Sequence, residues 1–299
     1  MKKFLKIVGW GAAVVAALGL VAAVTVRLVS QARLEKSYAV TVRPVKISGD
    51  AAMVARGKHI AETRGCADCH GPDYGGGKVF DDGAMGRLFG SNLTRGTGGR
   101  VATWKDEDWV RAIRHGIGPE GRGLLLMPAE EYTHLSDEDL GAVIAYLKTV
   151  PAVNRERPET ALGPVSRVLL TIGKMYLPPE KIDHSKTQPA TVAAAANAEF
   201  GRYLAAGCTG CHGSNYSGGK IEIGPPDWPH AANLTPHAES RIAKWSEAEF
   251  IAVLRTAKRP DGTELNPVMP RTFGKLDDTE LKALYAFFKT LPPVAQGVR

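Results

Sequence analysis

The chain has only four cysteines in 299 residues, too few to staple a disulfide-built scaffold. It also lacks a positive surplus outside its first segment. The formal net charge is +7, but residues 1–36 hold six Lys or Arg against Glu35 alone. The rest of the chain carries 32 basic and 30 acidic residues, which leaves no footprint for nucleic acid. No long alternating run of apolar and polar residues argues for a sheet. With 44% apolar and 23% charged residues, a wholly disordered chain is excluded. A length of 299 residues suits two or three domains better than one.

Charge is absent from Ile7 to Val26, between Lys2, Lys3 and Lys6 on one side and Arg27 on the other. Twenty residues at about 1.5 Å each span about 30 Å, the thickness of a bilayer core. The apolar part of a cleaved signal is shorter, roughly 7–15 residues. Residues 7–26 therefore predict a retained signal anchor, with cleavage after Ala23 as the alternative. Basic residues flank the run on both sides and orient it poorly. The chemistry of the body, below, requires export.

What is present is a duplication. Cys-Ala-Asp-Cys-His at 66–70 recurs as Cys-Thr-Gly-Cys-His at 208–212, an offset of 142. Asn92-Leu93-Thr94 recurs as Asn233-Leu234-Thr235, and Trp104, Arg114, Leu135 and Pro151 recur as Trp245, Arg255, Leu276 and Pro292, all at 141. Met127-Pro128 returns as Met269-Pro270 at 142. Such register means a repeated unit with small insertions.

The expected division is a membrane anchor at 1–36, a tether at 37–49, a first unit at 50–151, a Pro-rich linker at 152–195, a second unit at 196–293 and a tail at 294–299. Val165, Val168, Leu169 and Ile172 predict a short amphipathic helix in the linker. Its apolar stripe is expected to pack on one of the units, with a membrane or partner surface as the alternative. Ser136/Asp139, Ser246/Glu249 and Asp277/Glu280 have capping-box spacing before apolar stripes. Helices are also expected after Trp104 and Trp245, with Pro151 and Pro292 ending the last helix of each unit. The fold class predicted is all-α: two tandem copies of one helical domain behind one transmembrane helix.

Cys-x-x-Cys-His is the attachment sequence for c-type haem. Two thiols on one helical turn can form thioethers to a single porphyrin, and the adjacent His reaches the iron from the same side. A thioredoxin-like pair would sit in a βαβ context, and a zinc site would want its two knuckles about 15–20 residues apart. The reading is two covalently attached haem c groups, on Cys66, Cys69 and His70 and on Cys208, Cys211 and His212. A second axial ligand must be a soft or nitrogen donor. His59, His115 and His134 lack counterparts in the second unit when it is aligned at the motif, where Gly201 stands opposite His59. Met127 and Met269 are shared and are the expected distal ligands. Trp104, Trp245, Arg114, Arg255, Asn92 and Asn233 are candidates to bond haem propionates, with helix packing as the alternative. His/Met ligation leaves no open position for a substrate, which suits single-electron transfer.

These residues resemble class I c-type cytochromes, and more closely the tandem-haem cytochrome c subunits of bacterial membrane-bound dehydrogenases. The resemblance covers about 200 residues. It implies thioethers at Cys66, Cys69, Cys208 and Cys211, proximal His70 and His212, and distal Met127 and Met269. This chain has two such units, where many of those subunits have three. The resulting expectation is an electron-transfer protein rather than an enzyme, single-pass in the cytoplasmic membrane with its haem domains on the periplasmic side. Its donor would be a dehydrogenase or quinol-oxidising complex, and its acceptor a cytochrome or oxidase. The alternative is a dihaem peroxidase in which one Met leaves its iron and His115 serves as acid or base.

Overall fold

The computed structural model describes residues 1–221, 224–225 and 227–298. It opens with one long helix, α1 (Lys2–Glu35), long and apolar enough to cross a membrane. The first unit follows as α2 (Ala51–Thr63), α3 (Cys66–His70), α4 (Asp106–His115), α5 (Ala129–Tyr132) and α6 (Asp137–Thr149). The linker carries α7 (Pro164–Thr171). The second unit has α8 (Ala198–Ala205), α9 (Thr209–His212), α10 (Arg241–Lys244), α11 (Glu247–Thr256) and α12 (Asp278–Thr290); α8, α9, α11 and α12 repeat α2, α3, α4 and α6, while α10 is an addition and a 3-10 turn at Arg271–Lys275 stands in the place of α5. The described residues are predominantly helical, as expected.

Local signals start and stop these helices where the sequence places them. Ser136 accepts from the Asp139 amide at the start of α6, and reciprocal capping boxes open α11 at Ser246/Glu249 and α12 at Asp277/Glu280. Each such cap satisfies donors that the first turn would otherwise leave orphaned. α6 ends at Thr149 and α12 at Thr290, two residues ahead of Pro151 and Pro292, which cannot continue a helix.

Each unit is built on a crossed pair of its first and last helices. Gly57 on α2 lies against Ala142 of α6, and Gly201 on α8 lies against Ala283 of α12, so closely that a Cβ would collide with the carbonyl opposite. Around these crossings the cores form: Val110, Leu140, Val143 and Ile144 in the first unit, and Phe200, Phe250, Leu281 and Phe287 in the second. The two glycines stand 144 apart, whereas the Cys-x-x-Cys-His motifs stand 142 apart. The first unit therefore has two extra residues between its crossing glycine and its motif, and they fall within the longer α2. His59 is the counterpart of Tyr203, not of Gly201, which corrects the motif-based alignment.

A small three-stranded antiparallel sheet departs from the all-helical expectation. β1 (Lys78–Asp82) and β2 (Gly86–Phe89) form a hairpin, and β3 (Ala161–Leu162) adds an edge from the linker. Strands of two to five residues are too short to show a period of two in sequence.

The linker is not a free tether; it wraps the first unit. Val153 is held by Asn92 and Thr94, Arg155 pairs with Asp73 at 2.7 Å, and the Asp137 amide donates to Pro189 at 2.9 Å. α7 forms as foreseen, yet its packed side is Ser166 and Leu170. Of the expected stripe only Leu169 packs, against the cluster of Leu170, Met175 and Leu177; Val165, Val168 and Ile172 are exposed, and for these three the expectation of packing on a unit is corrected.

Candidate functional site

Between the two units lies one continuous cavity of about 770 Å³, towards the upper end of the ~300–1,000 Å³ range of ligand and cofactor sites. Cys66, Cys69, His70 and Met127 line it from one unit, and Cys208, Cys211, His212 and Met269 from the other. All eight residues expected from the sequence are thus brought to one space.

Each motif is held in the same way. Gly71 and Gly213 leave the motif helices at φ 80° and 79°, and Tyr74 and Tyr216 follow at φ 55° and 62°, left-handed positions that cost an L-residue about 1–2 kcal/mol. The tight turn lets the Gly76 amide donate to the His70 carbonyl at 2.7 Å and the Gly218 amide to that of His212 at 2.8 Å. His70 Nδ1 lies 2.8 Å from the Ser91 carbonyl, and His212 Nδ1 lies 2.7 Å from that of Ala232. A carbonyl only accepts, so each Nδ1 carries the proton and the lone pair resides on Nε2. This is the tautomer and the buttress that metal-binding imidazoles use. Burial lowers the pKa of His70, which keeps that lone pair available.

Burial also pushes the Cys66 and Cys208 thiols up to about 12. Neutral thiols suit covalent addition to an apolar group better than a thiolate-bound metal, which needs deprotonated sulfur. With Leu88, Phe89, Trp104 and Leu147 among the walls, the cavity fits a flat apolar macrocycle carried on the Cys-x-x-Cys-His turns.

The residues offered for propionates divide. Asn92 and Asn233 are buried and fully engaged by protein. Asn92 Oδ1 accepts from the Thr94 amide and hydroxyl at 2.9 and 2.7 Å, and its Nδ2 donates to Val153 at 2.9 Å. Asn233 repeats this with Thr235 and Val294. They clasp the loop over the motif to the chain beyond the last helix, and the propionate reading is withdrawn for them. Arg114 bonds Asp137 at 2.6 Å and the Leu135 carbonyl at 2.8 Å, while Arg255 bonds Asp278 at 2.9 Å and the Gly274 carbonyl at 2.6 Å. Both brace the segment that leads into the final helix. Trp104 lines the cavity and meets Trp109 edge-on. The Trp245 carbonyl accepts from Tyr285 at 2.9 Å. His115 points to the linker, with its Nδ1 3.0 Å from His184 Nδ1.

The sequence matches two known families, one in each unit. Residues 52–147 match the family described as cytochrome c oxidase, cbb3-type, subunit III, and residues 198–292 match cytochrome c. The chain carries two cytochrome c-type domains in tandem. Such domains hold haem c covalently and serve electron transfer. Among curated relatives, the chain is 28% identical over 283 residues to the fructose dehydrogenase cytochrome subunit of Gluconobacter japonicus, covering 85% of this chain and 56% of that one. It is 27% identical to the gluconate 2-dehydrogenase cytochrome c subunit of Pantoea cypripedii, covering 80% and 60%. It is 25% identical to a diheme cytochrome c-type protein of Cereibacter sphaeroides, covering 84% and 92%. The chain thus spans a little over half the length of the two dehydrogenase subunits. The first two are named as the cytochrome subunits of their dehydrogenases, not as the catalytic ones.

One feature of the cytochrome pair was not foreseen from its motifs: how they meet. His59 Nε2 on the first helix of one domain lies 2.7 Å from Glu280 Oε2, at the start of the last helix of the other. Reciprocally, the Tyr203 hydroxyl donates to Asp139 Oδ2 at 2.5 Å. Counterparts thus touch counterparts, which is the signature of a two-fold interface. The same exchange closes the cavity. Glu131, just past Met127-Pro128, packs on Gly210 between the second pair of cysteines, and Thr272, just past Met269-Pro270, packs on Gly65, just before the first pair. Burial, with Glu130 nearby, pushes Glu131 up to about 7.

Proposed function

We propose that this chain is a membrane-anchored dihaem cytochrome that carries single electrons from a substrate- or quinol-oxidising partner to a downstream cytochrome or oxidase. Haem, when bound, supplies the one-electron chemistry. Cys66 and Cys69 hold one group and Cys208 and Cys211 the other. His70 and His212 present Nε2 as proximal ligands, and Met127 and Met269 are the distal ones. Anchor, first domain, linker and second domain are taken as 1–36, 50–151, 152–195 and 196–293, with the body on the extracytoplasmic side and a dehydrogenase as the donor. The observation that carries the reading is the single cavity lined by both copies of the motif and both methionines. The names of the relatives support a dehydrogenase partner.

His/Met pairs saturate an iron and raise its potential relative to two nitrogen ligands. Optical and low-temperature EPR redox titration of the haem-loaded protein, with and without carbon monoxide, tests this. Two low-spin centres inert to carbon monoxide when reduced are expected. A high-spin or carbon-monoxide-binding centre would overturn the ligand set and make peroxide turnover the next assay.

A further inference from the structure

α1 and α7 are fastened to each other by contacts that set both direction and height. Arg33, near the end of α1, bonds the Leu170 carbonyl and Glu180. Arg167 Nη1 donates to Ser30 Oγ at 2.9 Å, and Thr171 Oγ1 reaches the Val26 carbonyl at 3.4 Å. Leu34 and Tyr38 pack on the buried cluster of Leu170, Met175 and Leu177. Moving from Arg167 to Thr171 on α7 therefore moves from Ser30 back to Val26 on α1. The two helices run antiparallel, and the C-terminal end of α7 points towards the charge-free stretch. Val26 is the last residue of that stretch, so Ile172, next to Thr171, lies where the span ends.

The outward face of α7 at this height is apolar. Val165, Val168 and Ile172, at positions i, i+3 and i+7, are 43%, 42% and 63% exposed. A helix lying on a soluble domain would carry polar residues there. Leu28 and Val29 of α1 continue the exposed apolar surface alongside. Two exposed cations sit at the same level, Arg27 on α1 and Lys174 just beyond α7. Apolar side chains at the end of a span with Lys and Arg beside them are the composition of a segment resting in the bilayer interface.

We infer that the end of α7, Val168 and Ile172 with the Ile172–Lys174 turn, inserts into the headgroup region of the membrane beside the anchor. The inference rests on α1 being a membrane anchor and adds a second point of contact. One helix alone would let the haem body swing about its tether. A second contact, locked to the first by Arg33 and Arg167, holds the first domain at one height and one tilt above the lipid.

The test uses the full-length, haem-loaded protein in phosphatidylcholine–phosphatidylglycerol vesicles, the motif cysteines being engaged by haem. A nitroxide is placed singly through Val15→Cys in the anchor, Lys282→Cys on the exposed side of α12, and Val168→Cys or Ile172→Cys on α7. Collision with oxygen, which partitions into lipid, is compared with collision with a water-soluble nickel chelate. The oxygen-to-nickel ratio is expected to be several-fold higher at 168 and 172 than at 282, and highest at 15. A shielded label at 15 with aqueous labels at 168 and 172 would overturn the inference and leave the anchor standing. Aqueous labels at 15, 168 and 172 alike would overturn both.

Discussion

His59 and His115 show burial and partnership acting in opposite directions on the same side chain. Glu280, with Asp277 and Glu62 nearby, raises the pKa of His59. Its stabilising contribution is therefore full below the unfolded value of about 6.5 and lost as pH rises through the higher folded value. Burial, then His184 and the guanidinium of Arg114, lower His115 to about 4. Its contribution is present above about 6.5 and is lost as pH falls from there towards 4. Urea unfolding of His59→Gln should lose stability relative to the parent chiefly on the acid side of neutrality. His115→Gln should flatten the acid limb below about 6.5. Parallel profiles for both variants and the parent would contradict these assignments. Asn92 and Asn233 give a second prediction. Replacing either by Ala strands a buried backbone amide, that of Thr94 or Thr235, at about 1–3 kcal/mol, while the redox spectrum of the attached haem keeps its position. The motif residues were legible because covalent chemistry fixes their spacing. The clasp role of the asparagines was not, because a buried amide and a propionate donor have the same sequence signature.

At the scale of elements, the glycines at the two crossings carry the architecture. Gly57→Ala and Gly201→Ala each drive a methyl group into a carbonyl of the opposing helix, so the crossed pair must separate. Overpacking of this kind costs typically about 1–3 kcal/mol. A midpoint shift in thermal or urea unfolding, without loss of covalent haem, is the expected outcome; unchanged midpoints would mean the helices slide freely. The caps of α6, α11 and α12 were readable because capping depends on neighbours three residues away. The short sheet was not, since β3 is recruited from the linker and pairs Arg87 with Ala161 and Gly86 with Leu162, across about 75 residues. α7 was readable as a helix but not by its buried face: four apolar positions suggested one stripe, and the structure instead buries Ser166, whose hydroxyl bonds the Met85 carbonyl at 2.7 Å.

For the whole molecule, the duplication visible in the sequence becomes a near two-fold pairing that no single motif encodes. His59 opposite Glu280 and Tyr203 opposite Asp139 are equivalent contacts made by different chemistries, which is why residue identity hid them. Their equivalence emerges only once Gly57 and Gly201 are superposed, 144 apart. The consequence is that each motif faces the segment after the other domain's Met-Pro, and both open onto one cavity. With the two haems of the proposed function in place, electrons entering at one should thus pass to the other within the chain. The most direct test is pulse reduction of the haem-loaded, full-length protein with both haems followed at wavelengths that separate them. The shared cavity predicts a fast redistribution between the haems whose rate is independent of protein concentration. Haems that reoxidise separately, with exchange only as a second-order process between molecules, would contradict it.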